Sequence, residues 1–111
     1  MDNKSNFRRG SVELLVLHLL KEKDCYGYEL SKNIKLRSND VLDIPVGSLY
    51  PALYKLIDNG YISDYKKQLG KRRVYVYYHI EDLGKERLEA LLTDYYSTNN
   101  GIQNVLNHKI H

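Results

Sequence analysis

The 111 residues include one cysteine, two prolines, one phenylalanine and no tryptophan. A lone Cys25 excludes an intrachain disulfide framework and suits a reducing compartment, with the thiol serving as packing or turn material. No run approaches 18 apolar residues and no cationic, apolar leader opens the chain, so neither membrane insertion nor secretion is expected. The expected location is the cytoplasm. There is no glycine-rich phosphate loop, no Cys/His metal spacing and no His-Glu-x-x-His, and His18, His79, His108 and His111 fall on different predicted elements. No metal, cofactor or enzymatic activity is therefore expected. The best catalytic grouping, His79 with Glu81 and Asp82, is a strand end meeting a helix start, where acids suit the helix dipole. Solenoid-length repeats and low-complexity segments are also missing.

Against these absences stand eleven tyrosines and an uneven charge distribution. A tyrosine combines a large apolar body with a hydroxyl suited to wet interfaces, so some of these rings are expected to meet a partner and most to pack. The net charge of +3 is too small to indicate nucleic acid by itself. Its placement is more informative. Five of the eight residues from Lys66 to Arg73 are basic, Lys4, Arg8 and Arg9 lie near the amino terminus, and acids collect from Glu81 to Asp94.

The run Gly47-Ser48-Leu49-Tyr50-Pro51-Ala52-Leu53-Tyr54-Lys55-Leu56 reads as a short helix. Ser48 can cap it, Pro51 falls in the first turn where a backbone N–H lacks a partner anyway, and Gly60 can end it in the left-handed conformation. Leu49, Leu53, Leu56 and Ile57 recur at helical spacing, which turns Ser48, Pro51, Tyr54, Lys55 and Asp58 outward with Tyr50 on the flank. Two strands, Tyr61 to Lys67 and Arg72 to Ile80, follow around a turn at Leu69-Gly70-Lys71. A helix with a hydroxylated, basic face followed by a cationic β-hairpin is the arrangement by which a winged helix holds DNA.

A first helix is expected from Ser11, apolar nearly all round from Val12 to Leu20, with Met1 to Asn6 loose ahead of it. Such a helix needs cover on more than one side, and a second protomer is the expected source. His18 interrupts the run, either as a buried hydrogen-bonded histidine or as a ligand contact. Asp24 to Gly27 reads as a turn, and a second helix follows with Leu30, Ile34 and Leu36 inward. Arg37 to Pro45 reads as a loop with short extended structure at Val41 to Ile44. In the second hairpin strand Val74, Val76, Tyr78 and Ile80 alternate with Tyr75, Tyr77 and His79, so the first set is expected to pack on the helices. From Asp82 onward Leu88, Leu92, Tyr95, Asn99, Ile102 and Leu106 fall at alternating steps of four and three, a coiled-coil seam. Gly101 inside it costs about 1 kcal/mol relative to alanine, so a break near Ser97 to Gly101 competes with the favoured continuous or kinked helix.

Three motifs in order, Tyr26-Gly27-Tyr28-Glu29, Gly47 to Tyr54, and Tyr77-Tyr78-His79-Ile80-Glu81-Asp82-Leu83-Gly84, resemble the PadR family of bacterial winged-helix transcriptional regulators, in its short form. The resemblance runs from about Arg9 to the end of the last helix. Glu81 stands where the family usually has Thr or Ser, which leaves the cap of the last helix to Glu81 or Asp82. The resemblance implies a mainly α fold with a β-hairpin, in which residues 1–80 form a winged helix-turn-helix and residues 81–111 a C-terminal dimerisation helix. It further implies a homodimeric repressor on a double-stranded, palindromic DNA operator. Tyr28, Ser48, Tyr50, Tyr54 and Lys55 would approach the groove, and Lys66, Lys67, Lys71, Arg72 and Arg73 the phosphates. Leu14, Leu17, Leu88, Leu92, Tyr95, Asn99, Ile102 and Leu106 would form the dimer. A small planar aromatic effector would sit near Tyr95, Tyr96 and His18, although Tyr95 on the seam is equally well placed as simple packing. The alternative reading is a winged-helix protein-interaction module without an operator of its own.

Overall fold

The computed structural model describes residues 3–109. Met1, Asp2, Ile110 and His111 lie outside the described residues, as do the side chains of residues 3–10, Lys4, Arg8 and Arg9 among them. The chain runs α1 (Asn3–Glu22), β1 (Cys25–Tyr26), α2 (Gly27–Arg37), α3 (Val46–Asp58), β2 (Ile62–Leu69), β3 (Arg73–Ile80) and α4 (Asp82–Leu106). The three strands form one antiparallel sheet in the order β1-β3-β2. This is a winged helix-turn-helix with a long C-terminal helix.

Helix α1 starts at Asn3, well ahead of the expected Ser11. From Val12 to Leu20 its apolar surface is covered largely by the chain itself. Val12, Val16, Leu17, Leu19 and Leu20 are buried, against α3, β3 and α4, while Leu14 and Leu15 are half-buried. The cover expected from a second protomer is supplied for those five buried residues by the chain itself. The two helices are also tied by charge: Arg87 Nε donates to Glu13 Oε1 at 2.6 Å, and its guanidinium lies 5.9 Å from the Tyr61 ring centre.

Residues 24–27, expected as a turn, contain the two-residue strand β1, with Cys25 opposite Tyr78 and Tyr26 opposite Tyr77. Two residues are too few to show an alternating pattern, and the partner strand lies about fifty positions further along the chain. Helix α2 opens with the Tyr26 N–H donating to Glu29 Oε1 at 3.2 Å, the N3 half of a capping box, while the Tyr26 side chain makes no cap bond. Leu30 and Ile34 are buried, but Leu36 is 66% exposed because two positions past Ile34 lies the opposite side of the helix. The loop to α3 contains no strand at Val41 to Ile44. It is held instead by Ser31 Oγ donating to the Ile44 carbonyl at 2.6 Å and by the Leu42 N–H donating to Ser38 Oγ at 2.9 Å.

Helix α4 is continuous from Asp82 to Leu106, through Gly101. Its cap is Glu81, which makes no side-chain capping bond and instead accepts a hydrogen bond from Ser63 Oγ at 2.7 Å. Leu88 is buried in the core of the same chain, and so is Leu17. Both were expected to meet a second chain, Leu88 on the seam and Leu17 on the first helix, and the burial of both side chains within one chain corrects that expectation. Leu92 is half-buried, whereas Tyr95, Ile102 and Leu106 project from the exposed part of the helix.

Candidate nucleic-acid interface

The first component is α3. Leu49, Leu53 and Leu56 are buried, which fixes the rotation of the helix and leaves Ser48, Tyr50, Pro51, Tyr54, Lys55 and Asp58 exposed as the spacing predicted. The start differs. Helix α3 begins at Val46 behind Pro45, and the Ser48 N–H donates to the Pro45 carbonyl at 2.9 Å, so Ser48 lies in the first turn rather than at the cap. Its hydroxyl belongs to the exposed face. Pro51 consequently stands deeper in the helix than expected and removes a backbone donor there.

At its other end α3 closes in a Schellman arrangement, with the Gly60 N–H on the Ile57 carbonyl at 2.9 Å and the Tyr61 N–H on the Leu56 carbonyl at 3.0 Å. Gly60 adopts φ +76°, which side chains resist. The Tyr50 and Tyr54 rings lie one turn apart on the exposed face, 6.1 Å between centres and 17° from parallel. Tyr28, 61% exposed, stands in the first turn of α2, which packs against α3.

The second component is the wing. Strands β2 and β3 pair from Ile62 opposite Ile80 out to Leu69 opposite Arg73, around a turn at Gly70 whose loop is braced by Gln68 Nε2 donating to the Gly70 carbonyl at 3.2 Å. Only the root of the wing belongs to the core: Ile62, Tyr78 and Ile80 are buried, while Val74 and Val76 on the same face of β3 are 59% and 37% exposed. The expected packing of that face thus holds for half its length, because the strands outrun the helices beneath them. Burial raises the Tyr78 hydroxyl to about 12, with Tyr50, Tyr54 and Asp64 nearby adding to the effect.

The five wing cations are all exposed, and the strand register sorts them. Lys66 opposes Val76 and shares the face that packs on the helices further down the sheet. Lys67 and Arg73 stand on the other face with the tyrosines: Lys67 Nζ is 5.2 Å from the Tyr77 ring centre, and Arg73 Nη1 is 3.5 Å from the Tyr75 hydroxyl. Lys71 and Arg72 occupy the turn.

The sequence reading missed the polar cluster at the wing root. His79, grouped in sequence with Glu81 and Asp82, has its Nδ1 2.8 Å from Asp24 Oδ1, and the Tyr65 hydroxyl donates to Asp24 Oδ2 at 2.8 Å. Burial raises the Asp24 carboxyl, but these two hydrogen bonds, with the nearby charges of His79 and Lys67, bring it below the ordinary aspartate value. Asp24 precedes Tyr65 by 41 residues and His79 by 55, a separation that no local pattern spans.

The residues expected near an effector divide. Leu14, Leu91, Tyr95, Asn99 and Ile102, with Ser11, Asp94 and Thr98, line an open cavity of about 320 Å³ between α1 and α4. Tyr96 and His18 are not among them. The Tyr96 ring meets Tyr95 edge-on at 5.3 Å, and His18 is exposed and paired with Glu22 at 3.4 Å. His18 is therefore neither the buried histidine expected nor part of that cavity's lining. Among the described residues no group of His, Cys, Asp and Glu could hold a metal ion, and no helix is long and apolar enough to cross a membrane.

Residues 16–90, which carry α3 and the whole wing, match the model of the transcriptional regulator PadR-like family. The chain belongs to that family. An uncharacterized protein of Lysinibacillus sphaericus is 35% identical over 95 residues that make up 83% of this chain and 84% of that protein. Among solved structures, a transcriptional regulator from Clostridium thermocellum is 34% identical, with 90% of this chain and 94% of that one covered and a TM-score of 0.81. Bacillus subtilis PadR in complex with operator DNA is 26% identical over 72% of this chain and 45% of that one, with a TM-score of 0.66. This PadR-like chain is thus a transcriptional regulator by family.

Proposed function

We propose that this PadR-like regulator binds double-stranded operator DNA as a homodimer and acts as a repressor that a small aromatic compound releases. The observation that carries the DNA reading is the exposed face of α3, with Ser48, Tyr50, Tyr54 and Lys55, continuing into a wing whose five cations are all exposed. The operator complex of Bacillus subtilis PadR supports it. In this reading α3 enters the major groove with Tyr28 beside it, while Lys66, Lys67, Lys71, Arg72 and Arg73 act on phosphates. One such helix reads few base pairs, and two-fold symmetry doubles the contacts on a palindrome.

The dimer reading is supported by apolar side chains left open along α4: Tyr95, Ile102 and Leu106 are 47%, 53% and 76% exposed, with Asn99 and half-buried Leu92 between or beside them. Leu14 on α1 extends the same strip. The effector reading is supported by the cavity of about 320 Å³ that Leu14 and Tyr95 help to line. A planar ring stacking on Tyr95 would gain about 0.5–1.5 kcal/mol beyond area burial.

Footprinting on the DNA upstream of the protein's own coding sequence, followed by binding titrations at several salt concentrations, tests the reading. Each phosphate contact removed by Arg72→Ala or Arg73→Ala should lower the slope of log affinity against log salt by about 0.9 with little change in sequence preference. Affinity and slope untouched by both substitutions would refute the role of the wing.

A further inference from the structure

The wing outruns its support. Strand β1 reaches only Tyr78 and Tyr77, so beyond that point β2 and β3 form a two-stranded ribbon whose Leu69, Val74 and Val76 are 39%, 59% and 37% exposed. A ribbon of two strands is marginal in water, and no core contact sets the direction of its tip. At its root, Asp24 accepts the Tyr65 hydroxyl of β2 on one carboxylate oxygen and faces His79 Nδ1 of β3 with the other, both at 2.8 Å. A carboxylate can only accept here, so the His79 ring carries a proton on Nδ1. The neighbouring Tyr26 ring lies 4.9 Å from Tyr75 and 5.5 Å from Tyr77, centre to centre.

We propose that Asp24 is a positioning residue for the wing: by holding both wing strands to the residue that precedes β1 and α2, it sets where the Lys71 to Arg73 tip lies relative to α3. The proposal rests on the DNA-binding reading above. Asp24 touches no DNA in this scheme and acts through Tyr65 and His79. Its loss should appear as a wing that no longer delivers its phosphate contacts, with the surface of α3 unchanged.

The test compares Asp24→Ala, Asp24→Asn, Tyr65→Phe, the Arg72→Ala/Arg73→Ala pair and their combination, in operator titrations across salt and in amide hydrogen exchange of the DNA-free protein. Asp24→Ala should weaken operator binding about tenfold, the scale of two lost hydrogen bonds, and should lower the salt slope as the arginine pair does. Added to that pair it should cost little more, because the contacts it supports are already gone. Asp24→Asn, which keeps one acceptor oxygen, and Tyr65→Phe, which keeps the ring, should fall between Asp24→Ala and wild type. Amides from Lys66 to Leu69 and from Arg73 to Val76 should exchange faster in Asp24→Ala while those of α3 do not. Losses that add fully, or unchanged wing exchange, would overturn the proposal. A wild-type protein that binds no DNA would refute the functional reading instead, and the exchange data would still show whether Asp24 holds the wing.

Discussion

Replacing Gly84 with alanine should destabilise the protein, although the substitution favours a helix. Gly84 stands in the first turn of α4, where the helix lies on the turn that closes α3. A β-carbon added there would be 2.1 Å from the Tyr61 carbonyl oxygen, 3.0 Å from its carbon and 2.9 Å from Ile80 Cγ1. The oxygen cannot step aside freely, because it accepts the Glu81 N–H at 2.9 Å. About 1 Å of backbone separation is needed, and overpacking of this kind costs about 1–3 kcal/mol or more. The gain in helix propensity returns at most about 1 kcal/mol. The clash is with backbone, which places the cost at the upper end and leaves a net loss of about 2 kcal/mol. For a domain of this size that lowers Tm by roughly 8–12 °C. Gly101→Ala is the matched control in the same helix. Nothing lies within 4 Å of its added β-carbon, so it should gain about 0.4–1 kcal/mol. Thermal and urea unfolding at one fixed protein concentration measure both. A Gly84→Ala variant as stable as wild type would show that α4 is not seated on the α3 turn as described, and a destabilising Gly101→Ala would show a second chain close to that face.

Leu92→Lys with Ile102→Lys should convert a dimer into a species near 13.0 kDa in sedimentation at micromolar concentration, and a wild type already at that mass would refute the dimer reading. Burial pushes the Cys25 thiol up to about 11, so it should stay protonated at neutral pH and react with a thiol reagent only as fast as the chain unfolds; immediate labelling of the native protein would contradict its burial. Asp24 has a carboxyl held low in the fold, so its stabilisation is present above the ordinary aspartate range and is lost as pH falls through the lowered value. The stability gap between wild type and Asp24→Asn should accordingly be widest near neutrality and close in acid; a gap independent of pH would refute that origin.

The sequence by itself determined the parts of this PadR-like chain that are local. The α3 face follows from the spacing of Leu49, Leu53 and Leu56, its end from Gly60, and the wing from two strands around Gly70, since each signal lies within a few residues of what it specifies. The same spacing predicted a long helix from Asp82, and that helix forms. Tertiary structure alone decided who covers what. Leu88 falls on the seam spacing and Leu17 on the apolar first helix, yet both are buried inside one chain, because helical periodicity names an apolar face without naming the surface that meets it. Strand β1, the seat of Gly84 and the attachment of Tyr65 and His79 to Asp24 likewise join segments that are distant in sequence. Such pairings depend on how the elements pack in space, and a pattern read along the chain has no access to that distance.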